Sequence, residues 1–298
     1  MDNYKIFEDY LLQDFDSVST LLAEGDEDVK IRLCSHYAAL RLKRFFRWGQ
    51  MKDLEESIEK AKLAVERTAY GHKLLAGRLN NLGVGLVSRY EHTGKIEDLE
   101  EAILVARQTV EITPDGHPDL AGRLSNLGTI FGRQYKHTGK IEDLEEAIRV
   151  AQQAVKVTSD DHPNLAGWLS NLGNKLESRY ERTGKIKDLE EAIRVTRLAV
   201  KVTSDDHPDL AGMLSNLGIK LIRQYERTGK IEDLEEAIRV TRQAVKVTPD
   251  DHPGLAGRLN NLGNILGRQY KHTGKIEDLE EAIRVTRRRS RCHVRRPS

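Results

Sequence analysis

The sequence predicts an all-α protein, a solenoid of about six antiparallel helix pairs. Three observations predict it. A 45-residue block recurs almost letter for letter, marked by His72, His117, His162, His207 and His252. A fixed period of roughly 20–50 residues decides architecture before any local reading. Within each block the apolar residues follow the helical period, and no run alternates with a period of two.

The block from His207 to Asp251 shows how each unit is built. Leu210, Leu214, Leu217, Leu221 and Tyr225 form one helical stripe. Pro208 suits the first position of that helix, which makes Asp206 or His207 its expected N-cap. Gly229, in Thr-Gly-Lys, is a left-handed stop. Leu234, Ala237, Ile238, Thr241, Ala244 and Val245 give a second, narrower stripe. Asp233 followed by Glu236 reads as a capping box that opens the second helix. Acidic residues at its start and Arg242 and Lys246 at its end complement the macrodipole. Each unit is therefore helix, turn, helix, loop.

Along the chain, residues 1–26 read as N-terminal capping helices and 27–71 as a diverged first repeat. In that repeat MKDLEESIEKAKLAV matches the later second helices, while RLCSHYAALRLKRFF has lost the Asn-Leu-Gly signature. Four complete repeats fill 72–251, and a truncated fifth occupies 252–288. Residues 289–298 read as a basic disordered tail. There Arg289 and Ser290 stand where the preceding unit has Ala244 and Val245, so the apolar stripe is abandoned.

Leu214, Leu217, the small Gly218 and Leu221 in the first helix, with Ala237, Thr241, Ala244 and Pro249 in the second, resemble the tetratricopeptide repeat family. Thr241 departs from its pattern, which has a large apolar residue there, and the 45-residue period exceeds the usual ~34. Long repeats of this kind resemble the arrays of kinesin light chains and those beside nucleotide-binding or caspase-like domains in fungal and bacterial proteins. The resemblance spans residues 28–288. It implies a right-handed superhelix whose first helices line a concave surface.

Lys plus Arg (48) balances Asp plus Glu (47), so the whole chain carries no charge that demands nucleic acid or membrane. No apolar run reaches the ~18 residues of a membrane span, and the acidic N-terminus is unlike a signal peptide. Cys34 and Cys292, at opposite ends of the expected rod, cannot pair. The compartment expected is cytoplasmic, with a nuclear location as the alternative.

Candidate chemistry fails on geometry. Repeated histidines on stacked helix pairs lie too far apart to share a metal ion. Thr-Gly-Lys lacks the spacing and the strand of a phosphate loop. Paired glutamates such as Glu235 and Glu236 are explained by capping. Cys34 near His36, and Cys292 beside His293, have no third member. The expectation is no enzyme, no cofactor and no metal.

What varies between units is more informative. By the resemblance, an unvarying ladder of Asn81, Asn126, Asn171, Asn216 and Asn261 faces the groove. So do the varied positions Thr129, Asn174, Ile219 and Asn264, together with Glu177 and Ile222. Arg133, Arg223 and Arg268 lie close by, whereas Lys175 and Lys220 lie one position off. An asparagine amide can donate to and accept from an extended peptide backbone; it can equally hold adjacent helices in register, and both readings stand at this point. The expected function is a scaffold that binds a peptide or protein in the groove. One alternative is the repeat half of a larger signalling protein. Another is nucleic-acid contact or nuclear import through the arginine-rich tail, and a further expectation is self-association through the uncapped last repeat.

Overall fold

The computed structural model describes the backbone of residues 27–294. The capping helices expected in 1–26, and the end of the basic segment at 295–298, lie outside the described residues. Among the described residues all regular structure is helical. The helices are α1 (Glu27–Trp48), α2 (Met51–Glu66), α3 (Leu75–Thr93), α4 (Ile96–Glu111), α5 (Leu120–Thr138), α6 (Ile141–Lys156), α7 (Leu165–Thr183), α8 (Ile186–Val202), α9 (Leu210–Thr228), α10 (Ile231–Lys246), α11 (Leu255–Thr273) and α12 (Ile276–Val294). The last helix continues to Val294, so the basic segment expected to be disordered from 289 is helical up to that point.

Two compact units divide the chain, one ending at Val157 and the other starting at Thr158. Each holds three helix pairs with its own core. Odd- and even-numbered helices pair along the chain, and each second helix then packs on the first helix of the next pair in its unit. First helices also touch one another, α1 with α3, α3 with α5, and α9 with α11. The first helices therefore form the tighter layer of each unit.

Local chemistry explains the boundaries. Gly94, Gly139, Gly184, Gly229 and Gly274 adopt φ between 67° and 72° and donate back to a tyrosine carbonyl, closing each first helix. A side chain with a β-carbon pays a steric penalty there, which glycine avoids. The N-cap is Asp209, not Asp206 or His207, and Pro208 precedes the helix, which starts at Leu210. His207 Nδ1 accepts the Asp209 N–H at 3.1 Å in the turn before it. The four other marker histidines make the same bond.

The capping box expected of Asp233 and Glu236 does not form. Lys230 is the N-cap, without a side-chain bond, and Asp233 is buried inside the first turn. Its burial raises the carboxyl above its ordinary value of 3.8, partly offset by a hydrogen bond from Thr228. Equivalent aspartates clamp the two helices of each pair by one of two routes. Arg89 and Arg179 of the first helix donate to Asp98 and Asp188. Where glutamine replaces that arginine, the turn threonine donates instead, as Thr138 does to Asp143 and Thr273 to Asp278 at 2.5 and 2.6 Å. Glu236 is taken by Arg197 of the preceding second helix at 2.6 Å, and Glu281 by Arg242.

Thr241, the departure from the family pattern, is fully buried and donates to the Ala237 carbonyl. It lies directly over Gly218. In the pair before, a β-carbon on Gly173 would sit 2.5 Å from Thr196 Oγ1 and 3.3 Å from the Ala192 carbonyl. The small residue thus lets α7 and α9 press against their partner helices. Gly218→Ala is expected to lower stability by about 1–3 kcal/mol, because Thr241 must move. Gly212→Ala, with nothing within 4 Å of the new carbon, is expected to raise it by up to about 1 kcal/mol. Urea denaturation of both variants measures the contrast.

Candidate protein-interaction surface

The expected groove residues all belong to first helices, but half of them are bonded to the neighbouring pair. Asn126 donates to Asn80 of the preceding first helix at 3.0 Å, and Asn261 donates to Ser215 Oγ at 3.2 Å. Their register reading is therefore the one these contacts support. Asn81 and Asn216 are half-buried, and Asn171 is exposed. Ile222 is a core residue of the second unit, not a groove residue. Ile219 is half-buried, and Asn264 is exposed. Thr129 bonds within its own helix, to the Ser125 carbonyl.

The three arginines tie successive first helices together. Arg133 donates to Glu91 at 2.5 Å, Arg223 reaches Glu181 at 2.6 Å and also Glu177, and Arg268 donates to Glu226 at 2.5 Å. A rule follows from sequence position. Arginine stands at the 133 position of a repeat when the repeat before carries glutamate at the 91 position. Serine stands there when it does not: Ser178 follows Lys136, and Ser88 follows Phe46.

Lys220 was set off the groove by sequence, and it is entirely buried at 0% exposure. Its ammonium donates to Asn174 Oδ1 at 3.0 Å and pairs with Glu177 at 2.9 Å. Burial pulls its pKa below 10.5, with the Glu177 carboxylate opposing. Another position that varies between repeats, occupied by Arg78, Arg123, Trp168, Met213 and Arg258 near the helix starts, is structural where its bonds are seen. Arg123 donates to Thr113 at 2.6 Å, Met213 accepts from Thr203, and Trp168 stacks on His162.

Two concavities open on the first-helix layers. In the first unit a cavity of about 210 Å³ lies among α1, α3, α4 and α5, lined by Phe46, Leu79, Gly83, Val84, Val87 and Ile130, with Asn80, Asn126, Thr129 and Arg133 among its polar lining. In the second unit an open, polar cleft lies between α9 and α11, lined by Tyr225, Glu226, Asn264, Arg268, Lys271 and His272. Three expected residues thus meet at the first site and two at the second. Sequence reading missed Phe46, Asn80 and Ser88. Phe46 carries a signal, an aromatic residue at a position where later repeats carry charge.

Chemistry of other kinds finds little support. The Cys34 thiol is buried, and burial raises its pKa, the opposite of an activated nucleophile. Among the described residues no group of three His, Cys, Asp or Glu side chains is placed to hold a metal. None of the helices described is long and apolar enough to cross a membrane. Near the ends of their first helices, His92 packs edge-on against Phe45, and His137 against Tyr90.

Stacked helix pairs joined through their first helices, with concave surfaces on that layer, define a helical-repeat scaffold. The chain belongs to the tetratricopeptide repeat family, which matches residues 75–119, 120–164, 165–209, 210–254 and 255–289. No curated protein matches it. Among solved structures, BtubC (BKLC) from P. vanneervenii is 20% identical and superposes with a TM-score of 0.58, covering 82% of this chain and 94% of that one. The nearly identical TPR-like repeats of a Podosopora anserina chain described as a kinesin light chain are 18% identical, with a TM-score of 0.53 over 76% and 100% of the two chains. The C-terminal part of a TPR repeat-containing protein from Cytophaga hutchinsonii is 12% identical, with a TM-score of 0.63 over 94% and 93%. At these identities the likeness establishes the fold. Tetratricopeptide repeats are in general scaffolds for protein interaction, and in that general sense the chain is one.

Lys220 supplies a test of how the layer is held. Ile130 and Ile265 occupy its position in other repeats. Glu177 keeps Arg223 if the lysine is lost, so Lys220→Ile is expected to stay within about 1 kcal/mol of the parent or exceed it. Breaking a buried pair outright costs about 3–5 kcal/mol. A lowered lysine pKa means that the folded chain binds fewer protons than the unfolded one between the lowered value and 10.5. This group's contribution therefore becomes more favourable as pH rises through that window. The stability difference between Lys220→Ile and parent should shift in the parent's favour as pH rises, measured by urea denaturation at several alkaline pH values.

Proposed function

We propose that the chain is a non-catalytic scaffold that binds a peptide or protein segment on the first-helix layer of its units. The observation that carries this reading is the layer itself. First helices pack on one another, leaving the cavity beside Phe46 and the cleft beside Asn264 on that side. Concave sites with a few convergent polar groups are where ligands bind. Asn126 and Asn264, both exposed, are the amides best placed to meet a peptide backbone. Asn126 and Asn261 of the ladder also bond to the preceding first helix, a second duty in register.

The second-helix layer is the contrast surface. It carries ionic ties between repeats and scattered exposed residues such as Leu104 and Arg149. Proteins captured by the full chain from its own cells should be lost on combining Asn126→Lys with Asn264→Lys. They should be retained on combining Leu104→Lys with Arg149→Glu. All four positions are exposed, so circular dichroism should be unchanged. Retention by the first pair and loss by the second would move the binding surface to the second-helix layer.

A further inference from the structure

Every junction between adjacent first helices within a unit, save one, is bridged by an arginine and a glutamate. Arg133 and Glu91 bridge α3 to α5, and Arg268 and Glu226 bridge α9 to α11. Arg223 with Glu177 and Glu181 does the same for α7 and α9. Between α1 and α3 the corresponding residues are Phe46 and Ser88. Phe46 and Ser88 cannot form an ion pair, and Phe46 is 62% exposed. A second gap lies beneath. Ala106 stands where Thr196 and Thr241 fill the space over Gly173 and Gly218, and a β-carbon on Gly83 would find its nearest neighbour, Val105, only at 3.8 Å. Both departures border the same cavity.

We infer that this cavity is an anchor pocket for one uncharged, phenyl-sized side chain of a bound peptide, with Phe46 as its exposed aromatic wall. The inference rests on the scaffold reading above and names the chemistry of its ligand. Size supports it: a cavity of about 150 Å³ admits a benzene ring, and this one measures about 210 Å³. Aromatic rings gain from edge-to-face or offset contact with another ring beyond area burial. Charge supports it as well. The charged side chains at the site, Glu91, Arg123 and Arg133, are already paired, Arg123 with Asp119 at 3.0 Å and the others with each other. A charged ligand group would have to break one of those pairs. The Asn126 and Asn80 amides, bonded through one N–H and one oxygen, retain further donors and an acceptor for the peptide backbone on either side of the anchor.

The test uses the full chain labelled with fluorophenylalanine, whose five phenylalanines give few fluorine NMR signals. The probes are acetyl-Ala-Ala-X-Ala-Ala-amide peptides with X as Phe, Glu or Lys. The Phe peptide should shift the Phe46 signal saturably and at least about tenfold more tightly than the charged peptides. That affinity should be little changed between about 50 and about 500 mM salt. Calorimetry with unlabelled Phe46→Ala, a change at an exposed position, should show the affinity falling about tenfold. Phe46→Glu combined with Ser88→Arg should replace the aromatic wall with charged side chains and abolish binding. A Phe46 signal indifferent to the Phe peptide, equal response to the Glu or Lys peptides, or full affinity in Phe46→Ala would overturn the inference. If the pocket fails while captured proteins still depend on Asn126 and Asn264, the scaffold reading stands without it. If that dependence fails too, both fall.

Discussion

The arrangement depends on how closely successive first helices approach. One feature that permits that approach is a small residue in each first helix. Glycine at positions such as 173 and 218 lets each first helix sit against a carbonyl and a threonine of its own partner. Residues on neighbouring first helices then lie within bonding distance, as the Asn126–Asn80, Lys220–Asn174 and Arg268–Glu226 contacts show. Second helices have no comparable proximity and communicate through longer side chains, Arg197 to Glu236 and Arg242 to Glu281. The difference between the two layers is what gives one of them its concavities.

Near-identical repeats raise a specific problem, since nothing in an apolar stripe of leucines distinguishes one neighbour from another. The polar residues between first helices supply a distinction. An arginine opposite a glutamate is matched, as Arg133 is with Glu91, whereas an arginine opposite a lysine would be repelled. Such ties add little raw stability when exposed. Their value lies in the wrong pairings they disfavour. The unmatched positions Phe46 and Ser88 border the apolar cavity of the first unit, whose other walls come from α3, α4 and α5.

Most of the fold was legible in the sequence, because period, helical stripes and terminating glycines are local signals. The φ values near 70° at Gly229 and its equivalents follow directly from Thr-Gly-Lys. The capping box was misread because Asp233 and Glu236 satisfy that pattern by spacing alone, while tertiary partners claim both side chains. The groove was only partly legible. Ile222 and Asn264 both occupy varying positions, yet the first is buried in the core and the second lies on the surface. Variation between repeats marks adaptation to a neighbour as readily as to a ligand, and Lys220 with Glu177 shows the first kind. Phe46 escaped notice because the first repeat is diverged, although aligning it with Glu91 exposes the substitution of a ring for a charge.

The matching rule between first helices is the most direct point of attack. In the first unit, Glu91→Lys places a lysine opposite Arg133 and should cost about 0.5–1 kcal/mol in urea denaturation. Adding Arg133→Ser reproduces the Lys-then-Ser combination already present at Lys136 and Ser178, and should restore stability to within about 0.3–0.5 kcal/mol of the parent. A double variant no more stable than the single one would mean that these residues do not read one another. The junctions, including the open one at Phe46, would then be set by the apolar core alone.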